Sequence, residues 1–288
     1  MLQFSTYKRP PVEGLMLFKH QTAMWKPASP YNNLPGLPPP FRETAKIFRQ
    51  TTQSRVALER LHQTVRLLPE KEIFVQIIPV LEAQASSEIE NIAAATDNLF
   101  KYLDADTKAD DAAKEVLRYR QALWKGMDSL KRCPLSLRTM TAVSSTLRGS
   151  KVSVRKLNGT CIASASSGQV IYTPPAGDAL ILEKLHNLVE FLHSPTEMDP
   201  LVKMAIAHYQ FEAIHPFSDG NGRTGRILNI LYLAESGLLS QPVLYLSRYF
   251  IRHKPKYYAA LLNVTKEGAW EDWILFICLL YTSDAADE

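Results

Sequence analysis

The sequence predicts a mostly α-helical fold with one small β-hairpin. Two observations carry that reading. Apolar residues recur at helical spacing through most of residues 44–276, in runs broken by Pro or Gly. One stretch, 149–178, departs from that period and is dominated by Gly, Ser, Thr and β-branched residues. Composition agrees. Of 288 residues, 46% are hydrophobic and 22% charged, enough apolar surface to offset the entropy of ordering a globular core.

The elements follow in order. Within residues 1–45, the run Tyr31-Asn-Asn-Leu-Pro-Gly-Leu-Pro-Pro-Pro-Phe41 cannot be helical, because its prolines lack donors and push their predecessors toward extended backbone. It reads as an extended arm laid across a helical body; the plainer alternative is a mobile tail. From Thr44 to Leu67, Ile47, Val56, Leu58, Leu61 and Val65 share helical spacing. Leu68-Pro69-Glu70 breaks it. Helical spacing returns from Ile73 to Phe100, with Pro79 at a first turn or kink. Ala112–Lys131 is amphipathic, and Leu135–Leu147 follows Pro134. Lys151–Val154 and Gly168–Pro175 form the two arms of the expected hairpin. Helices then resume at 179–193, 199–213, 223–236 and 255–266. A last helix opens at Trp270-Glu-Asp-Trp-Ile-Leu-Phe-Ile277. It runs into Tyr281-Thr-Ser-Asp-Ala-Ala-Asp-Glu288, where capping and packing logic are missing. The expected units are an arm at 1–45, a helical segment at 46–130, a core at 131–276 and a foreign or truncated tail at 277–288.

Several function classes are disfavoured. The net charge of +4, from 33 Lys+Arg and 29 Asp+Glu, forms no basic stripe, so no nucleic acid is expected. Cys133, Cys161 and Cys278 make neither a disulfide framework nor a metal pair. Met1–Gly14 lacks the apolar core of a signal peptide, and the longest apolar run, Ile274–Tyr281, is too short to cross a bilayer. A cytoplasmic protein without membrane contact is expected. His186, His193 and His208 show no metal spacing, and Trp124, Trp270 and Trp273 read as core anchors.

The chemistry concentrates in His215-Pro-Phe-Ser-Asp-Gly-Asn-Gly-Arg-Thr-Gly-Arg226. Pro216 forces His215 out of helical geometry, so the imidazole stands where a helix ends. Gly220-Asn221-Gly222 can present successive backbone N–H groups as an anion nest. The loop discharges onto a helix N-terminus, where the macrodipole favours phosphate. Arg223 and Arg226 share a face of that first turn. Arginines there oppose the dipole, which makes sense if an anion is the missing partner. Asp219 beside this nest fits a bridging Mg²⁺, held by one carboxylate and phosphate oxygens.

This run matches, at every defined position, the signature of Fic domains, and the chain resembles that family from about residue 30 to 276. Ser86-Ser-Glu-Ile-Glu-Asn91 is similar to the family's inhibitory helix, Val170–Pro175 to its flap, and Leu34–Pro40 with Leu81–Ile92 to the segment preceding many Fic cores. The resemblance implies transfer of AMP from ATP to a Ser, Thr or Tyr hydroxyl of a target protein, self-modification included. In it His215 is the general base, suited by an unperturbed pKa near 6.5. Asp219 holds Mg²⁺. Gly220, Asn221 and Gly222 stabilise the α-phosphate, and Thr224 and Gly225 complete the nucleotide cradle. Arg223 holds the β-phosphate side and Arg226 the γ-phosphate. Val170, Ile171 and Tyr172 pair with the target as an added strand. Tyr257 and Tyr258 pack near adenine, or are ordinary core aromatics. Ser86 and Glu90 inhibit, with Glu90 paired to Arg226; a plain capping box at Ser87-x-x-Glu90 is the alternative. Family members of this layout often continue into a winged-helix domain. A homodimer, transfer of another phosphate-containing group, removal of AMP and an ATP-binding scaffold with little turnover all stay open.

Overall fold

The computed structural model describes residues 25–92, 110–156, 159–164 and 167–283. Helix α1 (Ala45–Leu67) begins where the Thr44 hydroxyl accepts from Ile47 N and ends at Leu68, whose extended backbone suits the following proline. Its buried stripe holds Ile47, Leu58 and Val65, while Val56 is exposed. Helix α2 (Lys71–Ile89) carries Pro79 inside it and stops well before Phe100. The stop is local. Asn91 adopts φ 65°, its N–H reaches Glu88 O, and Ile92 N donates to Ser87 O, the two bonds of a Schellman turn. The continuous helix expected through Ile92 is therefore corrected; its expected remainder at 93–100 lies outside the described residues. Helix α3 (Asp111–Leu130) is capped by the Asp110 carboxylate, and α4 (Leu137–Arg148) by Ser136.

The sheet is one antiparallel pair, β1 (Ile162–Ala163) with β2 (Val170–Tyr172), in the register Ile162↔Tyr172. Contrary to expectation, Lys151–Val154 is not its first arm. That stretch bonds elsewhere: Val152 N donates to the Ser145 hydroxyl, and Arg155 N, just after it, donates to Pro216 O. Helices α5 (Asp178–His193), α6 (Pro200–Ile214) and α7 (Asn221–Glu235) follow. Then come α8 (Leu246–Arg252), α9 (Lys254–Glu267) and α10 (Trp270–Ser283). The seven residues of α8 are too few to show a helical period, and the sequence does not reveal it.

Helix α6 is the axis of the core. Its apolar and polar residues alike are buried on every face, as befits a helix surrounded by others. Trp273 of α10, fully buried, donates its indole N–H to Ala205 O of α6. Helix α10 also buries Ile277, Cys278, Leu280 and Tyr281, and Ser54 of α1 donates to Cys278 O. The packed core thus extends past 276. Tyr281 has the packing partner that its local sequence does not advertise, the Met204 sulfur. The arm lies against α5 and α6. Leu34 and Leu37 are buried, Lys184 donates to Leu34 O, Gln210 to Pro35 O, and Asn187 brackets Leu37 N and O. Among the described residues, no helix is long and apolar enough to cross a membrane.

Candidate active site

The site lies where α6 ends and α7 begins. His215 closes α6 at φ 49°, a left-handed conformation that a non-glycine residue keeps only when its surroundings over-determine it. Asn221 is part of that surrounding. Its side chain accepts from Phe217 N and donates to Phe217 O, both at 2.8 Å, so it ties the loop rather than facing an anion. Gly220, at φ 73°, provides the turn into α7.

Arg223 and Arg226 are each 2% exposed, and two charges so buried need partners. Glu90, the C-cap of α2, supplies the main one. Its Oε1 accepts from Arg223 N at 2.9 Å and Arg226 Nη2 at 3.0 Å, and its Oε2 from Arg223 Nε at 2.6 Å. Glu90 therefore pairs with both arginines, not with Arg226 alone, and also occupies a backbone N–H at the α7 N-terminus. Ser86, one turn earlier, accepts from Arg226 Nε at 2.7 Å, and its carbonyl accepts from Nη2 at 2.9 Å. Glu115 of α3 pairs with Arg223 Nη1. Burial pulls the Arg226 pKa down, but Glu90 and its other anionic neighbours leave it raised. Gly222 has no side chain for a simple reason: a Cβ there would sit 2.6 Å from Glu90 Oε1.

His215 itself differs from expectation. Burial, with the charge of Arg155 added, pushes its pKa down to about 4 instead of leaving it near 6.5. The imidazole is neutral, and so able to accept a proton, throughout the physiological range. Asp219 is half-exposed at the mouth. It pairs with Arg148 at the end of α4 and accepts from Gly220 N. Among the described residues no cluster of three or more His, Cys, Asp or Glu could hold a metal, so Asp219 is not part of an all-protein metal cage.

Of the other expected site residues, Thr224 is fully buried. Gly225 lets α7 approach α6: a Cβ on it would lie 2.4 Å from Glu212 Oε1 and 3.2 Å from Phe211 Cδ1. Gly225→Ala is accordingly expected to destabilise the protein by about 1–3 kcal/mol through overpacking, read as a fall of several degrees in Tm. The flap strand β2 turns Ile171 outward, 37% exposed, and Tyr172 inward. Tyr172 stacks on Trp25 and donates to Ala213 O, so its side chain is not offered to a partner. Tyr257 is 1% exposed and bonded to His208, inside a cluster with Phe250, Trp273 and Phe276. That is the core-aromatic alternative; only Tyr258 presents a surface.

Sequence reasoning missed Glu115, Arg148, Arg155 and Glu212. Three of them sit in stretches without a local signature and reach the site from other elements. Glu212 did carry a signal, a carboxyl in the predominantly apolar helix α6 just before the signature loop. Burial pushes its pKa up to about 7, against the pull of Arg226, and its Oε1 has no hydrogen-bond partner.

Comparison with known proteins agrees with this geometry. Residues 48–128 match the model described as Fic/DOC family N-terminal, and residues 135–233 match that of the Fic/DOC family. A protein adenylyltransferase fic-1 of Caenorhabditis briggsae is 40% identical over 108 residues, 37% of this chain and 20% of that protein. A probable protein adenylyltransferase of Aquifex aeolicus is 37% identical over 98 residues, 34% of this chain and 28% of that protein. The matched part thus spans well under a third of these curated relatives. In fold, a Fic family protein from Desulfovibrio desulfuricans superimposes with a TM-score of 0.70 at 19% identity, over 86% of this chain and 75% of the other. Fic-1 from C. elegans gives 0.62 at 21% identity, over 84% of this chain and 70% of the other. The signature loop, the helical architecture and the two family matches together lead to one conclusion: the chain belongs to the Fic/DOC family.

Proposed function

We propose that this protein transfers AMP from ATP to a Ser, Thr or Tyr hydroxyl of a target protein, itself included, and that Glu90 holds it inhibited. One observation carries the reading. A carboxylate fills the cradle made by Arg223 N and the guanidinium groups of Arg223 and Arg226, which is where a helix N-terminus would seat a phosphate. The names of the curated relatives support the same chemistry.

In this reading His215 accepts the proton of the attacking hydroxyl, and backbone N–H groups from Gly220 to Gly222 stabilise charge growing on the α-phosphate. Arg223 steadies the departing pyrophosphate and Arg226 the γ-phosphate. A lone exposed carboxylate fits Mg²⁺, which usually takes one or two carboxylates and completes its shell with phosphate oxygens and water. Asp219 would hold it once released from Arg148, and the ion would neutralise phosphate charge. The outer edge of β2 would align the target segment as an added strand. The segment at 46–130 then carries the inhibitor and the chain from 131 onward the core.

Two experiments test this. Purified protein with Mg·ATP and lysate should acquire the mass of AMP on a protein hydroxyl; the mass of phosphate or of another nucleotide would replace the reading with a different transfer. Arg226→Lys keeps a charge but loses the fork. It should weaken ATP roughly tenfold or more and leave AMP nearly unaffected, because a single charge-assisted contact to the γ-phosphate is lost. Equal losses for both nucleotides, measured by calorimetry, would remove Arg226 from that role.

A further inference from the structure

The last four carbonyls of a helix have no intrahelical partner and must be satisfied from outside. At the end of α6, Ala213 O and Ile214 O, together with the carbonyls of His215 and Pro216 that follow, accept from Tyr172 of β2 and from Arg155, which lies between α4 and β1. Tyr172 OH donates to Ala213 O at 2.8 Å. Arg155 Nη2 donates to Ile214 O at 3.1 Å, Arg155 Nε to His215 O at 2.7 Å, and Arg155 N to Pro216 O at 2.9 Å. The same Arg155 Nη2 also reaches Pro175 O, at the far end of the flap. Arg155 is only 7% exposed and Tyr172 likewise 7%, so neither bond is a surface accident. A cation at a helix C-terminus is further favoured by the macrodipole.

We infer that Arg155, assisted by Tyr172, is the positioning residue that holds His215 in its left-handed backbone conformation and joins the flap to the catalytic helix. The flap is therefore not only an edge for a target. Together with Arg155, which is bonded to its end at Pro175 O, it forms the C-terminal cap of the helix that carries the base. One planar guanidinium spans both ends of the arrangement, so a target segment lying on β2 is placed in fixed relation to the imidazole. Near-attack geometry depends on such placement, and a misplacement of about 1 Å can cost on the order of 100-fold.

This inference rests on the AMP-transfer reading for its kinetic test. In the Glu90→Gly protein, Arg155→Met should lower kcat by roughly 100-fold. The KM for ATP should stay as it was, because the phosphate cradle is untouched. Arg155→Lys should recover part of the loss, and Tyr172→Phe, which removes one bond, should lose less than Arg155→Met. An unchanged kcat, or a parallel loss in kcat and KM accompanied by a lower Tm, would reduce Arg155 to general scaffolding and overturn the proposal. A second arm does not need turnover. The imidazole cross-peaks of His215 in NMR spectra, assigned through their absence from His215→Ala, should move in both Arg155→Met and Tyr172→Phe. Unmoved peaks overturn the proposal whatever the activity; moved peaks in a Glu90→Gly protein that transfers no AMP would support it while sinking the AMP reading.

Discussion

His215→Ala should abolish AMP transfer while the protein still binds ATP. The imidazole stands at the end of α6, outside the cradle made by Arg223 and Arg226, so its removal leaves the phosphate contacts intact. A positioned general base contributes roughly 10²- to 10⁴-fold, and no other neutral base in this loop can replace it. Asp219 follows in sequence but is engaged with Arg148. The direction of the pKa shift sharpens the test. Burial holds the His215 pKa at about 4, so the folded protein keeps the imidazole neutral where the unfolded chain would protonate it. Activity should therefore persist as pH falls through 6.5 and be lost only toward about 4. The same shift makes His215 a stability cost that grows as pH drops from 6.5 toward 4, because protons then favour the unfolded state. Parent-level modification by the alanine variant would remove His215 from the role of base. So would an acid limb near 6.5 in the pH profile of kcat/KM for the Glu90→Gly protein.

Glu90→Gly should raise AMP incorporation and lower thermal stability without nucleotide. Both effects have one cause. Glu90 neutralises two arginines that are almost fully buried, and removing one partner of a buried pair costs on the order of 3–5 kcal/mol. Glu90 keeps some solvent contact, so the lower end of that range is the expectation here. Glu115 retains its own bond to Arg223, which limits the damage on that side; Arg226 keeps its two hydrogen bonds to Ser86. ATP can supply the missing negative charge. Added Mg·ATP should then restore much of the lost Tm, because a ligand that binds only the folded state stabilises it by mass action. Differential scanning fluorimetry with and without nucleotide, beside an AMP-incorporation assay, reads both outcomes. Unchanged incorporation in a folded, ATP-binding variant would leave Glu90 as the ordinary end of α2.

Much of the helical order was legible in the chain. Long amphipathic runs such as α1, α3 and α5 declare themselves through residues a few positions apart. The hairpin was legible in kind but not in register. Its first arm was misplaced because alternation at Lys151–Val154 says nothing about which strand will pair. The end of α2 was missed for a similar reason: the apolar period runs on past Ile89, while Asn91 ends the helix through backbone geometry.

The sequence by itself determined the loop that is proposed to bind the phosphates. Pro216, Gly220, Gly222 and the two arginines act within one short segment, where backbone conformation and dipole are local properties. It also placed Ser86 and Glu90 near one face of a helix. Only the tertiary structure decided what those groups touch. Glu90 meets Arg226 across 136 residues, Glu115 meets Arg223 across 108, Asp219 meets Arg148 across 71, and Arg155 reaches His215 across 60. The lowered pKa of His215 and the inward turn of Tyr172 belong to the same class. Burial and charge pairing are set by which segments pack together, and no period within a single segment encodes that.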